Sequence, residues 1–191
     1  MSVAGSSAAM TLEEFLAWEA AQETRHEYVA GEVYGHAGAS DVHVTITLNL
    51  GALLRAHLRG NPCRVYLADM RVRVGADAVF YPDVFVTCDP SDKDRTHTKE
   101  NPVLVVEVLS PSTAAFDRGR KFAHYRSLPS LQEYLLIDTA SRAVDLYRRG
   151  ADGLWVLHPS AGGDNLALAS VDFTCSLDDL YEDVSFPSSA P

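Results

Sequence analysis

The chain has 191 residues, 47% of them hydrophobic, and a formal net charge of −10. That length supports one domain with a real core and is short for two. No stretch reaches the roughly 20 apolar residues of a membrane-spanning helix, and the acidic balance excludes a broadly basic, phosphate-coating surface, so any nucleic-acid contact must run through a local basic patch.

Residues 1–10, MSVAGSSAAM, lack the basic flank and apolar run of a secretory signal and read as a flexible extension ahead of a single domain over 11–182. Thr11-Leu-Glu-Glu14 has the form of a capping box. Leu12, Phe15, Leu16 and Ala20 then recur at helical spacing and predict an amphipathic helix over 12–23. The segment RHEYVAGEVYGHA, 25–37, reads as a hairpin turning near Ala30-Gly31, with Arg25, Glu27 and Val29 on one face. Residues 41–59 fit two periods: Val42, Val44, Ile46, Leu48 and Leu50 alternate as in a strand, while Ile46, Leu50, Leu53, Leu54 and Leu58 fit a helix. The segment is too long for an ordinary strand, so a helix is expected.

Strands are expected at 63–67, 70–74, 83–87 and 103–109, with the polar loop 89–102 between the last two. Ser110-Pro-Ser-Thr113 then opens a helix to about Leu128, with Ser112 or Thr113 as its cap. Strands at 133–138, 143–148 and 154–158 follow, and the end of the chain, 183–191, reads as a flexible tail because SFPSSAP is polar and proline-rich. This order predicts an α/β (α+β) fold with a mixed sheet. Cys63, Cys88 and Cys175 form no Cys-x-x-Cys, which argues against a zinc ribbon or a disulfide framework and fits a reducing cytoplasm.

The run Val-Leu-Val-Val-Glu-Val-Leu, 103–109, carries one carboxylate, Glu107, among residues suited to the centre of a sheet. A buried acid needs a basic partner, a metal ion or a proton. Asp83 opens the preceding expected strand, and Asp117, Lys121 and Tyr125 share one helix face at four-residue spacing. Two carboxylates on neighbouring strands suit a Mg²⁺-type cation, and a nearby lysine can hold a metal-bound water or neutralise charge growing on a phosphate. Taken singly, these residues have plainer roles. Asp83 suits a turn after proline, Asp117 and Lys121 a surface ion pair worth about 0.3–0.5 kcal/mol, Tyr125 the core, and His43 a partly buried helix position. Glu107 resists a solvated reading, and its competing explanation is a metal-free ion pair with Lys121.

As a set, Tyr81-Pro-Asp83, the 103–113 run through Ser-Pro-Ser-Thr, and Asp-x-x-x-Lys-x-x-x-Tyr resemble the Uma2 family of restriction-endonuclease-like proteins in the PD-(D/E)XK nuclease superfamily. Thr-Leu-Glu-Glu-Phe, Arg-His-Glu-Tyr-Val-Ala-Gly-Glu, His43 and Glu-Tyr-Leu-Leu-Ile-Asp138 extend the resemblance over about residues 10–158. It implies a restriction-endonuclease-like αβββαβ core, with Asp83 and Glu107 as ligands of Mg²⁺ or Mn²⁺ and with Glu27 and Tyr125 assisting. The superfamily's acid-x-Lys motif meets Leu109 here, and the resemblance implies that Lys121 takes the lysine's role. The implied activity is metal-dependent hydrolysis of phosphodiester bonds in nucleic acid, with DNA favoured. Arg118, Arg120 and Arg126 could contact a phosphate backbone or simply balance nearby acids. Cutting two strands calls for two sites, which makes a homodimer an expectation. Two rivals stand beside this reading: an inactive nuclease-fold module for binding or assembly, favoured by Leu109 and the acidic surface, and a metal-dependent hydrolase of small phosphoesters.

Overall fold

A computed structural model describes residues 10–35 and 38–186; residues 1–9 of the expected extension lie outside that range. Helix α1 (Leu12–Glu19) starts as expected, the Thr11 hydroxyl accepting from the Glu14 N–H while the Thr11 N–H donates to Glu14. It ends well short of residue 23 and buries Leu12 and Phe15 against Tyr28, Val33 and Val79. Strands β1 (His26–Val29) and β2 (Glu32–Gly35) form the expected hairpin. Its turn holds Ala30 and Gly31 at φ of 49° and 93°, the left-handed backbone that two-residue hairpin turns require.

Helix α2 (Asp41–His57) settles the ambiguous segment in favour of helix, with Ser40 as its N-cap. It is followed by β3 (Arg64–Leu67), β4 (Arg71–Val74), β5 (Ala78–Phe80), β6 (Val84–Thr87), β7 (Thr98–Lys99) and β8 (Pro102–Val108). A continuous helical segment comes next: α3 (Ala114–Phe116), a π turn (Asp117–Lys121) and α4 (Phe122–Tyr125). Strands β9 (Glu133–Ile137), β10 (Ala143–Arg149) and β11 (Trp155–Ala161) match the remaining expected strands, whereas β5, and β7 inside the expected loop 89–102, were not expected.

Two sheets carry the fold. One runs β2-β1-β5-β4-β7 and the other β11-β10-β9-β8-β6-β3. In the six-stranded sheet only β8 and β9 are parallel, and the helical segment between them supplies the crossover that a parallel pair needs. The order α2, β3, β6, β8, helix, β9 is therefore the expected αβββαβ arrangement around a mixed sheet. On one side of this sheet Ile46, Leu50 and Leu54 of α2 pack with Val84, Val86 and Val106; on the other, Tyr125 and Leu128 pack with Phe85, Val105 and Tyr134. Strands β11 and β3 form its edges, and Pro159 lies mid-strand in β11, opposite Asp145 of β10.

Three elements were not expected beyond residue 161. These are β12 (Asn165–Leu168), β13 (Phe173–Ser176) and α5 (Leu177–Leu180), which close the α2 side of the core with Leu166, Phe173 and Leu177. Val184 and Phe186 also pack there, so the ordered contacts run past the expected boundary at 182; residues 187–191 lie outside the described range. The cysteine expectation is corrected as well. Cys63 and Cys88 form a disulfide, because the register that pairs Arg64 with Thr87 sets the next residues outward across from each other. A search for local Cys-x-x-Cys cannot see a partner 25 residues away. Cys175 is free and buried. Among the described residues no helix is long and apolar enough to cross a membrane.

Candidate active site

Strand β8 carries Glu107 one residue before its end, and the register Val84 to Val106 sets Asp83 opposite it, just ahead of β6. Like charges placed across neighbouring strands oppose folding unless something offsets them. Lys121 supplies part of the offset. Its Nζ lies 2.9 Å from Glu107 Oε1, 2.9 Å from Glu27 Oε1 and 3.5 Å from Asp117 Oδ1. Lys121 ends the π turn, a wider turn that recurs at functional sites and that here presents Asp117 and Lys121 inward together. The Tyr125 hydroxyl points to Glu107 Oε1 at 3.4 Å, and the Phe80 ring lies 5.5 Å from Nζ. Glu27, Glu107, Asp117 and Lys121 are all at most 3% exposed.

Lys121 does not pair with Asp83. Asp83 instead accepts from the Val108 N–H at 2.7 Å through Oδ2, and its Oδ1 lies 2.8 Å from His43 Nε2. Glu27 comes from β1, where Oε1 accepts the Tyr81 N–H at 3.2 Å, while its buried Oε2 has no partner among the described residues. All these acids nevertheless line one cavity of about 180 Å³, together with His43, Lys121 and the Ser110, Ser112 and Thr113 side chains. That volume holds several waters at about 30 Å³ each.

Four carboxyls thus share a cavity with one ammonium. Burial pushes the Glu107 carboxyl well above the usual carboxylate range; Lys121 opposes this, while Asp117, Asp83 and Glu27 add to it. Asp117 is raised for the same first reason, with Lys121 and the Thr113 hydroxyl acting against burial. At Lys121, burial disfavours the charge, but Glu107 and Glu27 outweigh it and hold the ammonium well above its ordinary value. Burial and the neighbouring Glu107 keep Tyr125 neutral and able to donate.

Of the residues singled out in the sequence, Glu27, Glu107, Lys121 and Tyr125 meet in direct contact, and Asp83 joins them across the cavity. The arginines do not. Arg118 pairs with Asp145, Arg120 pairs with Glu32 at 3.0 Å, and neither they nor the exposed Arg126 lines the cavity. His43 was expected to be a partly buried helix residue, which it is, but it also holds Asp83. The signal was its position on the same α2 stripe as Ile46, Leu50 and Leu54, a polar side chain on an otherwise apolar, core-facing row.

Among the described residues no three His, Cys, Asp or Glu side chains form a ready-made metal cage. Magnesium and manganese do not require one: Mg²⁺ is held by one or two carboxylates and keeps several waters. Asp83 and Glu107 supply that donor set, and the surplus of buried acid over base calls for a cation or protons, so the residues fit such an ion.

The same architecture occurs in a crystal structure described as a putative nuclease belonging to DUF820 from Anabaena variabilis. The two superpose with a TM-score of 0.77 at 21% identity, covering 90% of this chain and 97% of that one. This establishes a restriction-endonuclease-like fold. The chain belongs to the Uma2 family, described as "Putative restriction endonuclease", which it matches over residues 12–178. Two relatives from Synechocystis sp. carry no assigned activity. Uncharacterized protein slr1290 is 41% identical over 91% of this chain and 92% of its own length, and uncharacterized protein sll1609 is 37% identical over 82% and 90%.

Proposed function

We propose that the protein is a Mg²⁺- or Mn²⁺-dependent nuclease that hydrolyses phosphodiester bonds, with DNA as its substrate. The observation that carries this reading is the gathering of four carboxyls, three buried and Asp83 partly so, and one buried lysine around a single cavity at the ends of β6 and β8. The family's description as a restriction endonuclease supports DNA. Asp83 and Glu107 would hold the ion, which when bound supplies Lewis-acid polarisation and an acidified water. Lys121 places fixed positive charge beside the reacting phosphate, where charge grows during attack. Glu27 and Asp117 keep that ammonium protonated and in place, His43 orients Asp83, and Tyr125 steadies Glu107. The cytoplasm remains the proposed compartment, and the Cys63–Cys88 bond is the observation set against it, since disulfides are rare in reducing compartments.

The test offers supercoiled plasmid, single-stranded DNA, RNA and a small aryl phosphoester to the purified protein with each ion. Wild type is expected to nick or linearise the plasmid. Glu107→Gln and Asp83→Asn, both folded by circular dichroism, are expected to lose at least about 100-fold of that rate. Absence of cleavage with either ion defeats the nuclease reading, and turnover of the aryl phosphoester alone reassigns the substrate. One observation favours a second reading, a nuclease-fold module that binds without cutting: Lys121 is already matched by Glu27 and Glu107 at 2.9 Å each, as in a structural ion pair. That module would cut nothing and gain no stability from Mg²⁺.

A further inference from the structure

Helix α2 is apolar on the side turned away from the core as well as on the side facing it. Ile46, Leu50 and Leu54 are fully buried, yet Val44 and Leu48 are 54% and 61% exposed. At about 100° per residue, Asp41, Val44, Leu48, Ala52 and Arg55 fall in one stripe about 80° wide, opposite the buried face, and all five are exposed. Leu67, at the end of β3 and 40% exposed, widens the patch by lying over Gly51, where a Cβ would come within 2.9 Å of it. A helix on the surface of a monomer keeps that side polar, whereas one apolar on both sides is covered.

What covers it is written in the order of the stripe. Asp41 lies seven residues before Leu48 and Arg55 seven residues after it. Neither takes part in an ion pair among the described residues. We propose that α2 is the interface of a homodimer, packed antiparallel against α2 of a second copy about a twofold axis at Leu48. In that register Leu48 meets its own copy, Val44 meets Ala52, and Asp41 meets Arg55, each of the last two contacts occurring twice. Such self-complementarity is what a twofold interface demands. A parallel arrangement would set Asp41 against Asp41 and Arg55 against Arg55, while the antiparallel one also opposes the two helix dipoles favourably. His43 lies on the core side of α2, where it holds Asp83, and none of the five stripe residues lines the cavity, so the inference does not rest on the nuclease reading.

The test is the mass of the full chain in solution by analytical ultracentrifugation. Wild type is expected at twice 20.8 kDa, and Leu48→Glu at 20.8 kDa with an unchanged far-ultraviolet spectrum. Asp41→Arg and Arg55→Asp, each alone, are expected to loosen the dimer at least about tenfold by placing like charges together, and the double swap to restore it. Leu48→Cys is expected to cross-link to itself on mild oxidation. A monomeric wild type overturns the inference. So does a dimer indifferent to Leu48→Glu, which would point to another surface such as the exposed Leu154, Val156 and Leu157, or a double swap that fails to rescue.

Discussion

Lys121 shows how a charge is kept inside a core of this size. Removing one partner of a buried ion pair leaves the other uncompensated and costs about 3–5 kcal/mol. Lys121→Met, which strands Glu27, Glu107 and Asp117, is therefore expected to lower the unfolding free energy by about that amount in urea titrations. Glu107→Gln removes one of the surplus acids and should cost far less; equal losses for the two would mean that the carboxyls are not in excess. A divalent ion held by Asp83 and Glu107 should stabilise wild type by about 2.7 kcal/mol at a hundred times its dissociation constant, and leave Glu107→Gln unmoved, as thermal melts with and without Mg²⁺ would show. At this scale the sequence was informative where a residue type was out of place: an acid in a run of branched apolar residues has few innocent explanations. His43 was as far out of place on the apolar stripe of α2. Its meaning was hidden because Asp83, its partner, is 40 positions away.

Among the elements, those with strong period or clear punctuation were legible: α1 from its capping box, the β1–β2 hairpin from Ala30-Gly31, and β8 from its apolar run. Strands β5, β12 and β13 have only three or four residues each; β12 and β13 do alternate between exposed and buried positions, but over a span too short to stand out in the sequence, and pairing with neighbours completes them as strands. Helix α2 was decided by length, and its buried face makes a direct prediction. Leu50→Ala, at a fully buried position, should cost about 2–5 kcal/mol by chemical denaturation, and a cost below 1 kcal/mol would contradict the packing of α2 on the sheet. The β3–β6 pairing predicts thiol counts. Burial pushes the Cys175 thiol up to about 11, so at neutral pH it is neither accessible nor a thiolate. A disulfide-exchange reagent should find no thiol in the native protein, one after denaturation, and all three cysteines once reductant is added. Two extra thiols before reduction would show that Cys63 and Cys88 are not joined.

For the whole molecule, the six-stranded mixed sheet with α2 on one side and the crossover helix on the other brings residues 27, 83, 107 and 121 to one end of the strands. The general order of elements was readable; the closing of the core by residues 165–186 was not, because that segment owes its structure to the surface it covers. The sheet also has two rims. In β11 the even-numbered residues bond inward to β10, as Gly150 to Leu154 and Arg142 to Gly162 show at its ends. The odd-numbered backbone groups therefore point outward, and Pro159 stands among them without an N–H to offer. A foreign strand laid along this rim would find its ladder interrupted at the middle, while β3, only four residues long, offers little room at the other rim. Growth of the sheet from molecule to molecule, the first step toward fibrils, is thus obstructed by a single imino acid.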